Sequence, residues 1–395
     1  MPGLRRKLST GRRRHVASLV IGFGVLYSLT ATWGYEANVD AIAAALPAWS
    51  VVMDGTLHLD QFAGLNPWIV KGASGYVSNR PPGISAVAIP AYLVSRPEVF
   101  SNAPATATAV AVTVAALVVV YLVLCEVVSA RVALLSTVVM GIGTSTWKVS
   151  ADALWPHGPG QLWAAIGLLA IARAHTTSAG WAFAAALLTR PVTAVSSGAL
   201  GLLEGWRQKS WGHVIGIGVP TFAALGLLLV YNRVIFGSFS IGGGYPPDFA
   251  ERAVTMGPVE YAGNLIGFFV SPSNGLLIWS PVVVVGLAGA VWGWSAIPGW
   301  ARSAAVAALI YLVVHARLNR VSGGAPFGYR YPLEPLVLAA PALAVGAEWL
   351  HNRGTTMRRL VISAAGISIA LQAGLVLLLE CGEIVGTNYV CGFGM

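Results

Sequence analysis

Long apolar runs recur along this chain from Val16 to about residue 379, separated by short polar segments, and that repetition constrains the fold more than any other feature. A straight helix needs about 20 apolar residues to cross a bilayer. Only helices and closed barrels satisfy their backbone amides in hydrocarbon. The pattern therefore predicts an all-α fold, a polytopic membrane helix bundle. Composition agrees: 56% of the 395 residues are hydrophobic and 10% are charged, against roughly 25% charged in soluble domains.

The runs place spans at 16–35, 105–128, 132–147, 159–174, 181–192, 193–206, 213–232, 274–295, 299–316, 333–348 and 360–379, about 11 transmembrane helices. Arg5, Arg6, Lys7 and Arg12 to Arg14 precede the first run. A cleaved signal peptide is the rival reading there. The run is long for one and no clear small-residue cleavage site follows, so it reads as an uncleaved helix with its basic end in the cytoplasm. The pieces at 181–192 and 193–206 are short for straight spans. They read as two broken helices meeting at Arg190-Pro191, where proline removes an amide donor.

Charge tests the count. Eleven spans put 14 of the 24 Lys+Arg inside, with Glu126, Glu204 and Glu348 alone of the 15 carboxylates. Merging 181–206 into one span would turn Arg353, Arg358 and Arg359 outward, against the positive-inside tendency. The expected location is the plasma membrane, multi-pass, with a cytoplasmic N-terminus. The net charge of +9 gathers in cytoplasmic loops, which points to membrane lipids as partners and to no nucleic acid. A single transmembrane domain is expected over 1–380, with a short extracytoplasmic tail over 381–395. Cys381 and Cys391 fall in that tail, where an oxidising compartment would pair them.

Most of the charged residues assigned to the outer face fall in three long segments, 37–104, 233–273 and 317–332. The first opens Glu36-Ala-Asn38-Val-Asp40 and continues through a weakly amphipathic stretch, Ala41 to Met53. Ser78-Asn79-Arg80-Pro81-Pro82-Gly83 then leads into an apolar helix from Ile84 to Val94, too short to span and suited to the interface. Asp40 stands close to the bilayer boundary. Its bland reading is a carboxylate that ends a helix and meets water.

A second cluster lies between two spans, with Lys148, Asp152, Trp155 and His157. Tryptophans suit a membrane interface, but ionisable groups near membrane depth are costly and usually line a site. Arg190 sits at the helix break. Ser271 to Gly275, with Asn274, opens one span, and Ser322 to Pro332, with Tyr329, Arg330 and Tyr331, opens another. Arginine is a natural fork for phosphate, so Arg80, Arg190 and Arg330 could converge with Lys148 on an anionic head group. Snorkelling at the interface is the plainer account of each one alone. No phosphate-cradling glycine loop, zinc-spaced His or Cys pair, or nucleophile elbow is present.

The ordered set of pieces resembles the GT-C superfamily of polytopic glycosyltransferases, and within it the bacterial branch similar to protein O-mannosyltransferases and aminoarabinose transferases. The matching features are Asp40 after the first span and a long first outer segment with interfacial helices. To these add Arg-Pro-Pro-Gly at 80–83, Leu-Trp-Pro-His-Gly at 154–158, Arg-Pro at 190–191, Ser-Pro-Ser-Asn-Gly-Leu-Leu at 271–277 and Gly-Tyr-Arg-Tyr at 328–331. The resemblance runs over 16–350, by layout more than identity.

It implies inverting transfer of a sugar from a polyprenyl-phosphate donor to a glycan, lipid or protein acceptor at the extracytoplasmic face. Asp40 would be the base, and Arg80, Lys148, His157, Arg190 and Arg330 would hold the donor phosphate. Asp60, Asp152, Trp155, Asn274, Tyr329 and Tyr331 would contact acceptor or sugar. Where relatives carry an acidic pair this chain has Asp40-Ala41, so Asp54, Asp60 or Asp152 would have to supply a second acid, and a divalent cation stays open as cofactor. The chemistry is consistent: glycosyl transfer needs a carboxylate to take the acceptor proton and positive groups for the departing phosphate. The rival readings are a transporter or flippase of lipid-linked sugars, which would favour internal symmetry and a midplane site, and an inactive scaffold of the same fold.

Overall fold

The computed structural model describes residues 10–34, 38–245, 248–321, 327–384 and 388–393, without the side chains of 248–250 and 380–393. Glu36 and Ser322 to Pro326, singled out in the sequence, lie outside the described residues, as do the side chains of Cys381 and Cys391.

The chain opens with helix α1 (Thr10–Thr30), followed by α2 (Val39–Met53), a hairpin of β1 (Ile69–Lys71) and β2 (Tyr76–Ser78), and α3 (Pro82–Ser95). Helices α4 (Ala103–Leu124), α5 (Ala130–Ile142), α6 (His157–Ala172), α7 (Thr176–Thr189), α8 (Thr193–Gln208) and α9 (Trp211–Phe236) come next. Two helices, α10 (Asp248–Thr255) and α11 (Pro258–Val270), lead to α12 (Leu276–Trp279), α13 (Pro281–Trp292), α14 (Gly299–Leu318), α15 (Leu333–His351) and α16 (Thr355–Leu377). Strands β3 (Leu379–Ile384) and β4 (Asn388–Phe393) close the chain as a hairpin that sets Cys381 opposite Cys391 in backbone register.

Among the described residues five helices, α4, α9, α14, α15 and α16, are long and apolar enough to cross a membrane. Each remaining predicted run also holds a helix, but these are shorter or, in α1, headed by Arg12, Arg13 and Arg14. The run predicted from 181 begins earlier, at Thr176, and the one from 274 divides between α12 and α13. The chain breaks at Arg190, whose extended backbone (φ −150°, ψ 99°) separates α7 from α8.

Helix ends follow local chemistry. Pro82, Pro104 and Pro281 sit in first turns, where the missing amide hydrogen has no intrahelical acceptor to lose. Gly237 ends α9 in the left-handed region at φ 79°, a conformation that favours glycine. Between helices, Gly289 of α13 meets Gly346 of α15 so closely that a Cβ on either would strike the opposing backbone. Small residues permit that approach where lipid gives no hydrophobic drive to associate.

Two cores result. One runs through the bundle, with Tyr27, Leu117, Tyr121, Leu168, Phe183 and Leu336 buried. The other joins α2, α3 and the first hairpin to Ala105 of α4 and Leu154, through Leu46, Trp49, Ile69, Ile84, Tyr92 and Phe100. The end of α1 is fastened to the segment before α6: Thr32 donates its amide to the Asp152 carbonyl at 3.0 Å and its hydroxyl to Asp152 Oδ1 at 2.9 Å.

Candidate active site

Asp40 occupies the first turn of α2, where the Asn38 side chain accepts its amide at 2.9 Å. A helix N-terminus favours a negative group. Two serines bring the start of α3 against this helix. Ser78 Oγ donates to the Ala43 carbonyl at 2.7 Å and accepts the Arg80 amide at 3.1 Å, and Ser85 Oγ donates to the Ala44 carbonyl at 2.8 Å. Arg80 is thereby delivered to Asp40, Nη2 lying 2.7 Å from Oδ1. Its other terminal nitrogen donates to the Tyr245 hydroxyl at 2.9 Å, and its guanidinium lies 4.3 Å from the Trp68 ring centre.

Arg330 arrives from the far end of the chain. Gly328 turns in the left-handed region at φ 76°, and its carbonyl accepts Asn274 Nδ2 at 2.8 Å while its amide donates to the Ser273 carbonyl at 2.8 Å. The Tyr329 hydroxyl lies 2.7 Å from Ser280 Oγ, and its amide donates to Ser145 Oγ. The next residue, Arg330, stacks 5.0 Å from the Trp155 ring centre and reaches Asp40 Oδ2 with Nη1 at 3.0 Å. Asp40 is only 12% exposed and its two arginines 9% and 15%. Arg80 Nε and Arg330 Nε are buried without an acceptor among the described residues.

A second charged group lies behind the Tyr331 ring, which has Arg330 and Arg190 each 5.3 Å from its centre. Arg190 Nη1 donates to both oxygens of Glu334, at 2.8 and 2.7 Å, and stands 2.6 Å from His157 Nδ1. His157 Nδ1 is 3.0 Å from Glu334 Oε1. Arg190 Nη2 faces His315 Nε2 at 3.4 Å, and Asn319 joins His315 to the Tyr331 hydroxyl. Helix break and proline fix this place: the interrupted backbone between α7 and α8 turns Arg190 inward.

Of the residues singled out in the sequence, Asp40, Arg80, Arg330, Trp155 and Tyr331 converge. His157 and Arg190 adjoin them but are bonded to Glu334. Asn274 and Tyr329 hold the loop that carries Arg330. Asp60 is exposed and accepts the Tyr76 amide at 2.9 Å, so it secures the first hairpin. Asp54 caps the opposite end of α2, about 20 Å along the axis from Asp40 at 1.5 Å per residue. Asp152 is bonded to Thr32. Burial pushes its carboxyl above the ordinary range, opposed by the charge of Lys148. Lys148 makes no hydrogen bond or ion pair among the described residues.

Sequence reasoning passed over Glu334, His315, Trp68 and Tyr245. Glu334 had a visible signal, a carboxylate at the head of an apolar run, where burial demands a partner. The aromatic partners of Arg80 had none.

The surroundings of Asp40 do not suit a divalent cation. Both carboxylate oxygens face guanidinium groups, which repel a metal, and among the described residues no three His, Cys, Asp or Glu side chains gather as a metal set.

Comparison with known proteins bears on the fold. No family model and no curated protein sequence matches the chain. Solved structures do. The apo oligosaccharyltransferase of Archaeoglobus fulgidus matches with a TM-score of 0.58 and 12% identity, over 93% of this chain and 57% of that one. The same archaeal enzyme in complex with an inhibitory peptide and a dolichol-phosphate matches at 0.55, with 12% identity over 93% and 56%. Its complex with Zn and sulfate matches at 0.54, with 14% identity over 91% and 53%. The chain spans little more than half the length of these structures. At such identity the likeness is one of fold alone, shared with part of an archaeal oligosaccharyltransferase over most of this chain.

Proposed function

We propose that this chain is an inverting glycosyltransferase, which moves a sugar from a polyprenyl-phosphate donor to an acceptor hydroxyl at the extracytoplasmic face of the plasma membrane. The observation that carries the reading is the Asp40 carboxylate gripped from two sides by Arg80 and Arg330, in a fold like that of the archaeal oligosaccharyltransferase. A carboxylate beside guanidinium groups that keep unused donors, Nε in each, is what transfer from a phosphate ester needs.

The donor phosphate takes the free donors of Arg80 and Arg330, drawing positive charge off Asp40. Asp40 then accepts the proton of the incoming hydroxyl as its oxygen attacks the anomeric carbon. The bond to the phosphate oxygen breaks on the opposite face, and the arginines stabilise the departing phosphate. Arg190, His157 and Glu334 form the charged floor behind Tyr331 that keeps Arg330 in place. Eleven crossings, an interfacial position for α2 and α3 and a cytoplasmic N-terminus belong to the same proposal, since they set Asp40 outside and the basic loops inside. So does a single transmembrane domain over 1–380.

Membranes carrying the native chain or Asp40→Asn, given a panel of radiolabelled undecaprenyl-phosphate sugars, test the reading. Transfer of at least one sugar by the native chain and none by the variant is expected. Equal transfer by both removes Asp40 from the chemistry.

A further inference from the structure

Beside the charged pair lies a group of buried polar atoms that neither the ion pairs nor the fold uses. Asn79 is 4% exposed, yet among the described residues neither its Nδ2 nor its Oδ1 has a hydrogen-bond partner. Trp68 Nε1 is likewise buried and unpaired. An amide left so is costly, and buried polar groups are paired as a rule. Two neighbouring exceptions call for a ligand rather than a core.

The two side chains share one face. Ile69 pairs with Ser78 in the hairpin ladder, and the Asn79 amide donates to the Trp68 carbonyl at 3.0 Å, so Trp68 and Asn79 are the next opposed pair. Residues directly opposite in antiparallel strands project to the same side. Alternation sends the flanking Ile69 and Ser78 the other way, into the core against α2 and onto the Ala43 carbonyl. Trp68 in turn lies under the Arg80 guanidinium that holds Asp40. The unpaired atoms thus adjoin the groups assigned above to phosphate and base.

We infer that Trp68 and Asn79 form the subsite for the transferred sugar ring. A sugar hydroxyl both donates and accepts. The Asn79 side chain offers one acceptor and two donors, a match for two adjacent ring hydroxyls, and the indole N–H of Trp68 adds a donor. The hairpin that carries them would then set which sugar is accepted, since a site built to hydrogen-bond a hydroxyl rejects analogues that lack it. The inference rests on the donor reading above and adds to it the residues that read the sugar.

Binding of two probes to the purified full chain in detergent separates the possibilities: undecaprenyl phosphate, and undecaprenyl phosphate bearing a mannosyl, glucosyl or arabinosyl group. The native chain should bind at least one sugar-bearing lipid on the order of tenfold more tightly than the bare lipid, since one or two hydrogen bonds amount to that. Asn79→Leu should erase the advantage while leaving affinity for the bare lipid unchanged, and Trp68→Phe, which keeps a ring under Arg80 but removes the indole N–H, should reduce the advantage. Thermal unfolding checks the fold: Asn79→Leu removes an unpaired buried amide, so its midpoint should hold or rise. A sugar preference that survives in both variants overturns the inference, as does loss of bare-lipid binding together with a lowered midpoint, which would make both residues structural. Failure of the native chain to bind either lipid would overturn the donor reading itself, and this inference with it. A native chain that binds both lipids equally would overturn the subsite alone, with the pair then satisfied by water only.

Discussion

Arg330 reaches Asp40 across 290 positions of sequence, with Nη1 3.0 Å from Oδ2. The contact joins the loop before α15 to the first turn of α2, so it exists only when the two ends of the fold have closed on each other. An arginine at that place has two tasks in the proposed reaction, to hold the carboxylate before the donor arrives and to meet the phosphate afterwards.

Arg330→Ala should therefore weaken donor binding more than it disturbs the fold. A charge-assisted hydrogen bond is worth about 1.5–3 kcal/mol, so the apparent donor affinity should fall roughly 10- to 100-fold. Titration of the undecaprenyl-phosphate sugar that the native chain uses would measure it. An unchanged affinity would take Arg330 out of phosphate binding.

Asp40→Asn removes the base and little volume, and the Asn38 cap on the α2 amide persists. Transfer should fall to background while membrane yield and elution as a single species stay native. A variant that aggregates would show instead that the ion pairs of Asp40 hold the fold.

Glu334→Gln should be costly to stability. It leaves Arg190, 8% exposed, without a counter-charge in a buried setting, a change that costs about 3–5 kcal/mol. The double variant Glu334→Gln/Arg190→Met should recover part of that loss, because no bare charge remains. Thermal unfolding in one detergent would compare the three. A native midpoint in the single variant would mean that the pair is dispensable.

Asp152 gives a pH dependence. Burial raises its folded pKa above the unfolded value, which is about 4, so the folded state binds this proton more tightly. The resulting stabilisation is complete below about pH 4 and fades as pH rises through the folded value. Asp152→Asn keeps an oxygen for the Thr32 hydroxyl and carries no charge, so its midpoint at neutral pH should match or exceed the native one. The gap should narrow in acid. A variant clearly less stable at pH 7 would show that the charge is needed there.

Topology is open to reporters. Fusions after Trp206 and after Arg359 should both report cytoplasm if α7 and α8 each cross, and an outer signal at either would overturn the eleven-crossing arrangement.

Much of the helical layout was legible because a membrane span announces itself by length and lack of charge. The break at Arg190-Pro191 was legible for a related reason, since proline cannot donate an amide and the pieces on either side are short. The grouping of Asp40 with Arg80 and Arg330 could be anticipated by charge type, though not the direction of the bonds. Glu334 escaped because a carboxylate in the first turn of a helix resembles an ordinary helix end, and only three-dimensional packing shows it buried against Arg190 and His157. Hairpin strands of three residues, such as Ile69–Lys71, carry too little alternation to be read, so Trp68 and Asn79 had no element to be assigned to. Asp60 had the right chemistry but the wrong place, because it is exposed and holds the Tyr76 amide.

The first hairpin, α2 and α3 share a core that also takes in Ala105 of α4 and Leu154, and Asp40 and Arg80 sit on those elements, whereas Arg330 stands on the loop before α15. The Asp40–Arg80 pair is therefore local, and the Asp40–Arg330 pair ties it to a distant loop. Any displacement of that loop would separate Arg330 from Asp40 and leave Asp40 beside Arg80, so the surroundings of the carboxylate register where the loop stands.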